Sequence, residues 1–203
     1  PDYMRSSLSL AASGSDAFKG WRMLKELDFG STATPGANNY YIADGAFAYC
    51  TALTELILPT SLAYVDGTDY DTGIFEGCRN LMTVTLPASD ASSALRNLFN
   101  GCSNLTTVTV LPVLGVDPTC YVGDGRFAGC KQLTTVVLPD TLTGIGAAAF
   151  RNCTSLEAIA LPEGLKSIGA AAFEGCSRLS DVTLPSTLTS IGDAGDTDFT
   201  GGA

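Results

Sequence analysis

Eight of the nine phenylalanines in this chain open one and the same frame, Phe-x-x-Cys-x-x-Leu-x-x-Val/Ile/Leu-x-Leu-Pro. It recurs from Phe18, Phe47, Phe75, Phe99, Phe127, Phe150 and Phe173, and an eighth copy begins at Phe199. From Phe to Pro the step is 12 residues in five of the six copies that keep the Pro, and 13 in the copy from Phe99. From Pro to the next Phe it is 11 in the two cleanest copies and 12 to 16 elsewhere. A unit of 23 residues cannot bury its own apolar face, so neighbouring units must stack into a continuous core. The frame therefore predicts one repeat array over residues 1–203: about seven repeats with partial ones at the ends.

Inside the fixed half, Leu-x-x-Val-x-Leu before Pro reads as a short strand. Val84 and Leu86 point inward and Thr83 and Thr85 outward, because alternate residues face opposite sides of a pleat. Pro has no N–H for a ladder and ends the strand. The extra residue in the copy from Phe99 predicts a bulge near Val110 and Leu111. In the variable half, Leu142-x-x-Ile145-Gly146 and Leu165-x-x-Ile168-Gly169 are too short and Gly-rich for a stable helix. They read as extended segments and turns, with room for one 3₁₀ turn.

The combined pattern LPxxLxxIGxxAFxxCxxLxxVxLP resembles the BspA-type leucine-rich repeat of bacterial cell-surface proteins, from about Leu8 to Phe199. The resemblance implies a leucine-rich repeat solenoid, a right-handed horseshoe-like coil. Its concave face carries a parallel β-sheet, and its convex face carries turns, extended segments and short 3₁₀ pieces. It further implies a cell-surface or secreted address and a part in adhesion or protein binding, with no catalytic residues and no cofactor. The chain departs from the pattern at Trp21 (first Cys position), Gly30 (first Pro position) and Gly202 (eighth Cys position). Trp21 suits a cap on the stack.

Six of the seven cysteines (Cys50, Cys78, Cys102, Cys130, Cys153 and Cys176) share one frame position and form an interior column. Their spacing does not match paired zinc ligands. Side chains that point the same way in a stack suit disulfides poorly, so free, buried, hydrophobe-like thiols are expected. Cys120 lies outside the frame and is the thiol expected to react.

The outward strand positions form a second column. It runs Glu26 and Asp28, Glu55 and Ile57, Thr83 and Thr85, Thr107 and Thr109, Thr135 and Val137, Ala158 and Ala160, Asp181 and Thr183. Acidic residues stand at both ends, with an uncharged Thr/Val/Ala strip between them. The strip suits a docking face for protein or glycan, set against the plainer reading of β-propensity on a solvated sheet.

Insertions are concentrated in the connecting half, where adaptable loops belong. The segment with Tyr64, Asp66, Asp69, Tyr70 and Asp71 is a candidate binding loop, with tyrosines as anchors. Asp66, Asp69 and Asp71 are weak calcium candidates, since hard cations take oxygen ligands. The segment lacks the twelve-residue loop with its terminal Glu, so solvated turns are the stronger reading. Asp193, Asp196 and Asp198 form a similar run.

Composition removes whole classes of function. His is absent, which excludes His-dependent triads, His-ligated zinc and imidazole switching. Eleven basic residues against 21 acidic ones, a net charge of -10, disfavour nucleic acid and anionic membranes. No apolar run reaches membrane-spanning length, and Pro1 to Ser9 show no signal-peptide pattern. The reading that remains is a non-enzymatic surface or secreted module that binds an extracellular protein or glycan, with a monomer favoured. Its alternative is a structural spacer with no ligand of its own.

Overall fold

The computed structural model describes residues 18–28, 45–58, 73–88, 98–112 and 120–192. They form a parallel β-solenoid. Strands β1 (Glu26–Asp28), β2 (Glu55–Ile57), β3 (Thr83–Pro87), β4 (Thr107–Leu111) and β6 (Thr135–Val137) make one five-stranded parallel sheet in the order β1-β2-β3-β4-β6. Equivalent frame positions pair across it, so that Leu56, Val84, Val108 and Val136 lie side by side. The predicted alternation holds: Val84 and Leu86 are buried, whereas Thr83 and Thr85 are half-buried on the outer face.

The core is built of columns. The Phe rings from Phe18 through Phe173 stack coil upon coil, with centroids 5.2 to 5.7 Å apart and planes within 19° of each other. That spacing exceeds the strand separation of about 4.8 Å, as expected for rings stacked with a lateral offset. Trp21 stacks on Phe18 at 5.5 Å, the capping position expected of it. The Leu column (Leu24, Leu53, Leu81, Leu105, Leu133, Leu156) is buried beside the rings.

Two expectations are corrected. No bulge interrupts β4: its register with β3 is continuous from Thr83↔Thr107 to Pro87↔Leu111, so the extra residue of that repeat falls after the paired stretch. The return segment is more regular than foreseen. Tyr121–Val122 (β5), Gly144–Ile145 (β7), Ser167–Ile168 (β8) and Ser190–Ile191 (β9) form a second parallel ladder, and no 3₁₀ helix occurs among the described residues. Coil-to-coil approach explains the Gly after Ile145 and Ile168. A Cβ on Gly146 would stand 2.5 Å from Asp124 Oδ1 and 2.7 Å from the Gly123 backbone, and one on Gly169 would collide with Ala147. Among the described residues no helix is long and apolar enough to cross a membrane.

Candidate functional site

The β1–β4 and β6 sheet gathers the outward column into one surface. Glu26, Glu55, Thr83, Thr107 and Thr135 are in register along one row. Asp28, Ile57, Thr85, Thr109 and Val137 are in register along the next. Ile57 and Val137 are exposed, at 37% and 49%, and the four Thr of β3 and β4 are half-buried. Parallel pairing also sets Glu26 directly beside Glu55 at one margin, a like-charge neighbour pair that costs stability. The face thus has a neutral centre and an acidic edge.

One row back, Thr hydroxyls stitch the coils together. Thr54 Oγ1 donates to the Lys25 carbonyl at 3.2 Å, Thr106 Oγ1 to Met82 at 3.1 Å and Thr134 Oγ1 to Thr106 at 3.3 Å.

The far end of the expected column is corrected. Ala158 and Asp181 meet in a single isolated parallel bridge, and neither Ala160 nor Thr183 lies in a strand. Ala has little β-propensity, and its short side chain offers a neighbour on the sheet face nothing to pack against. Asp181 and Thr183 are exposed but do not extend the sheet. Tyr64, Asp66, Asp69, Tyr70 and Asp71 lie outside the described residues, as do Asp193, Asp196 and Asp198.

The cysteine column is free and buried, and it does more than fill space. Cys50 Sγ donates to the Phe18 carbonyl at 3.2 Å, Cys78 to Phe47 at 3.2 Å, Cys102 to Phe75 at 3.2 Å and Cys130 to Phe99 at 3.8 Å. Cys153 donates to Phe127 at 3.3 Å and Cys176 to Phe150 at 3.1 Å. The Phe47 carbonyl also accepts the Cys50 amide of its own coil at 3.3 Å, so both its lone pairs are used. Burial pushes the Cys78 and Cys130 thiols up to about 12 and Cys102 well above its ordinary range. These groups are structural donors, poorly suited to act as nucleophiles. Cys120 corrects the expectation of a reactive thiol: it is 5% exposed, belongs to the core and accepts from Thr141 Oγ1 at 3.6 Å.

Sequence reading missed two residues, both visible once the repeats are laid over each other. Among the described residues the position before the frame Phe is Ala46, Ile74, Leu98, Ala149 or Ala172, but Arg126 in one coil. Arg126 is 1% exposed, the sole buried charged residue among those described, and its guanidinium lies against Gly123. The third frame position is Gly20, Gly77, Gly101, Gly129 or Gly175, all at positive φ, or Asn152 at φ 60°. In the coil of Phe47 it is Tyr49, at φ 59° and 41% exposed.

The BspA type leucine-rich repeat region matches the sequence in six copies, over residues 11–114 and 117–195. The chain belongs to this family. Three solved leucine-rich repeat structures share its fold. The protein from Bacteroides ovatus is 25% identical over 94% of this chain and 57% of its own, with a TM-score of 0.54. The Treponema pallidum leucine-rich repeat protein is 25% identical over 82% of this chain and 72% of its own, with a TM-score of 0.53. A protein from Eubacterium ventriosum, 22% identical over 93% of this chain and 55% of its own, scores 0.59 and speaks for the fold alone. This leucine-rich repeat chain spans little more than half the length of the B. ovatus protein. No curated protein matches it at a significant level.

Proposed function

We propose that this leucine-rich repeat chain is a non-enzymatic binding module, secreted or held at the cell surface, that docks an extracellular protein across the outer face of the β1–β4 and β6 sheet. The observation that carries the reading is the in-register surface from Ile57 through Thr85 and Thr109 to Val137, neutral and partly apolar, with Glu26 and Glu55 together at its margin. Short Thr and Val side chains lose little conformational entropy when covered, and the paired carboxylates favour a partner with a basic edge. The surface address rests on the family resemblance. Tyr64, Asp66, Asp69, Tyr70 and Asp71, in the connector between β2 and β3, are proposed from sequence to flank the face.

The test is retention of the recombinant chain on a panel of purified extracellular matrix proteins, compared with a Thr85→Glu/Thr109→Glu variant. Retention that the variant loses while melting normally supports the docking face. If nothing on the panel retains either protein, the spacer reading takes its place.

A further inference from the structure

Tyr49 breaks the turn rule of every other described coil. A tyrosine in the left-handed region is strained where Gly or Asn is not. An outlier of this kind, held by its surroundings, is a pointer to function. The surroundings do hold it. The ring lies against the Gly77 backbone, where a Cβ would stand 2.5 Å from its Cδ1, and the phenol donates to Glu76 Oε1 at 3.0 Å. Backed by the next coil and anchored at its tip, the ring is a rigid aromatic surface that remains 41% exposed.

The rim around Tyr49 is polar. Glu76 supplies a carboxylate, and Lys19 and Arg79 are close enough to act electrostatically on the phenol. Such a rim both accepts and donates hydrogen bonds, which suits a polyhydroxylated ligand better than an apolar protein anchor. A pyranose with equatorial hydroxyls offers a flat C–H face to the ring and hydroxyls to the rim. The net charge of -10 disfavours anionic glycans.

We propose that Tyr49, with Glu76, Lys19 and Arg79 at its rim, forms a binding site for neutral β-linked oligosaccharides on the turn ridge, separate from the sheet face. The site does not depend on the docking face and can hold or fail without it.

The test is calorimetric titration of the whole chain with two probes, cellotetraose and the tetramer of N-acetylglucosamine. Saturable binding of either tetramer is expected. Tyr49→Gly restores the residue type of the other coils and should leave the melting temperature unchanged or raised while weakening that binding about tenfold or more. Tyr49→Leu, which keeps bulk without the aromatic face, should weaken it likewise. Thr85→Glu/Thr109→Glu should bind the sugar as the parent does, which separates this site from the sheet face. Absence of binding to both tetramers at millimolar concentration overturns the proposal. So does full affinity in either Tyr49 variant, which would leave the ring as no more than a cover for Gly77.

Discussion

The coils up to Val137 and those beyond it carry the same Phe and Cys columns but differ in how their frame strands pair. In the first region the outward residues are mainly Glu, Ile, Thr and Val, and the frame strands pair from β1 to β6. In the second they are Ala158, Ala160, Asp181 and Thr183, and pairing shrinks to one bridge. There the return segments β7, β8 and β9 continue a regular ladder that begins at β5, before Val137. The coils stay in register either way, because Phe150 and Phe173 stack at 5.4 Å with planes 5° apart. The interior columns thus set the stack, and the outward side chains decide where a coil becomes a strand. Burial falls toward both ends of the stack: Phe127 and Phe150 are fully buried, whereas Phe18 and Phe173 are half-buried and Leu184 and Ile191 are exposed.

The largest expected effect tests whether the second region follows when the buried thiols of the first region titrate. Cys78 and Cys130 have folded-state values raised to about 12 from an ordinary 9.0. Their contribution is complete below pH 9 and is lost as pH rises from 9 toward 12, because the unfolded chain releases these protons first. Alkaline titration followed by circular dichroism should show one cooperative loss of structure in that window. Two separate transitions would show that the regions do not share the column.

Next in size is the Phe column. Phe150→Ala, in the buried stack, should cost about 3–5 kcal/mol, and Phe173→Ala about 2 kcal/mol or less because its site is already partly open. Denaturant melts of both variants measure the contrast, and equal losses would remove the distinction between interior and margin.

The cysteine hydrogen bonds come third. Cys102→Ala leaves the Phe75 carbonyl short of a donor and should cost about 1–3 kcal/mol. Cys120→Ala orphans no carbonyl and should cost less. Native labelling should spare all seven cysteines, Cys120 included, and denaturation should expose all seven.

The smallest effect sharpens the comparison itself. Ala158→Thr with Ala160→Val should lengthen the frame sheet beyond β6 and stabilise the chain by about 0.5–1 kcal/mol. Hydrogen exchange at Ile159 and Val182 would report the added pairing. Unchanged protection there would mean that side-chain propensity does not set the sheet boundary.

Much of the candidate site was legible in the amino-acid pattern. The alternation in Thr83-Val84-Thr85-Leu86 depends only on period two, so the outward Thr rows followed directly. Tyr49 and Arg126 were harder to see, because each signals by differing from its counterparts in other coils and neither belongs to a recognisable motif. Cys120 was misjudged because position outside the frame says nothing about depth.

What the sequence by itself determined is the repeat, the inward and outward faces and the buried Phe and Cys columns. A periodic pattern of apolar residues that no single unit can bury admits one stacked solution. What only the tertiary structure decided is which segments pair into ladders, the second use of six Phe carbonyls by the next coil's thiol, and the seat of Tyr49 on Gly77. These depend on contacts between coils more than 20 residues apart in sequence, such as Cys78 with Phe47 and Tyr49 with Glu76. Distances of a few tenths of an ångström select them, and local pattern carries no record of such distances.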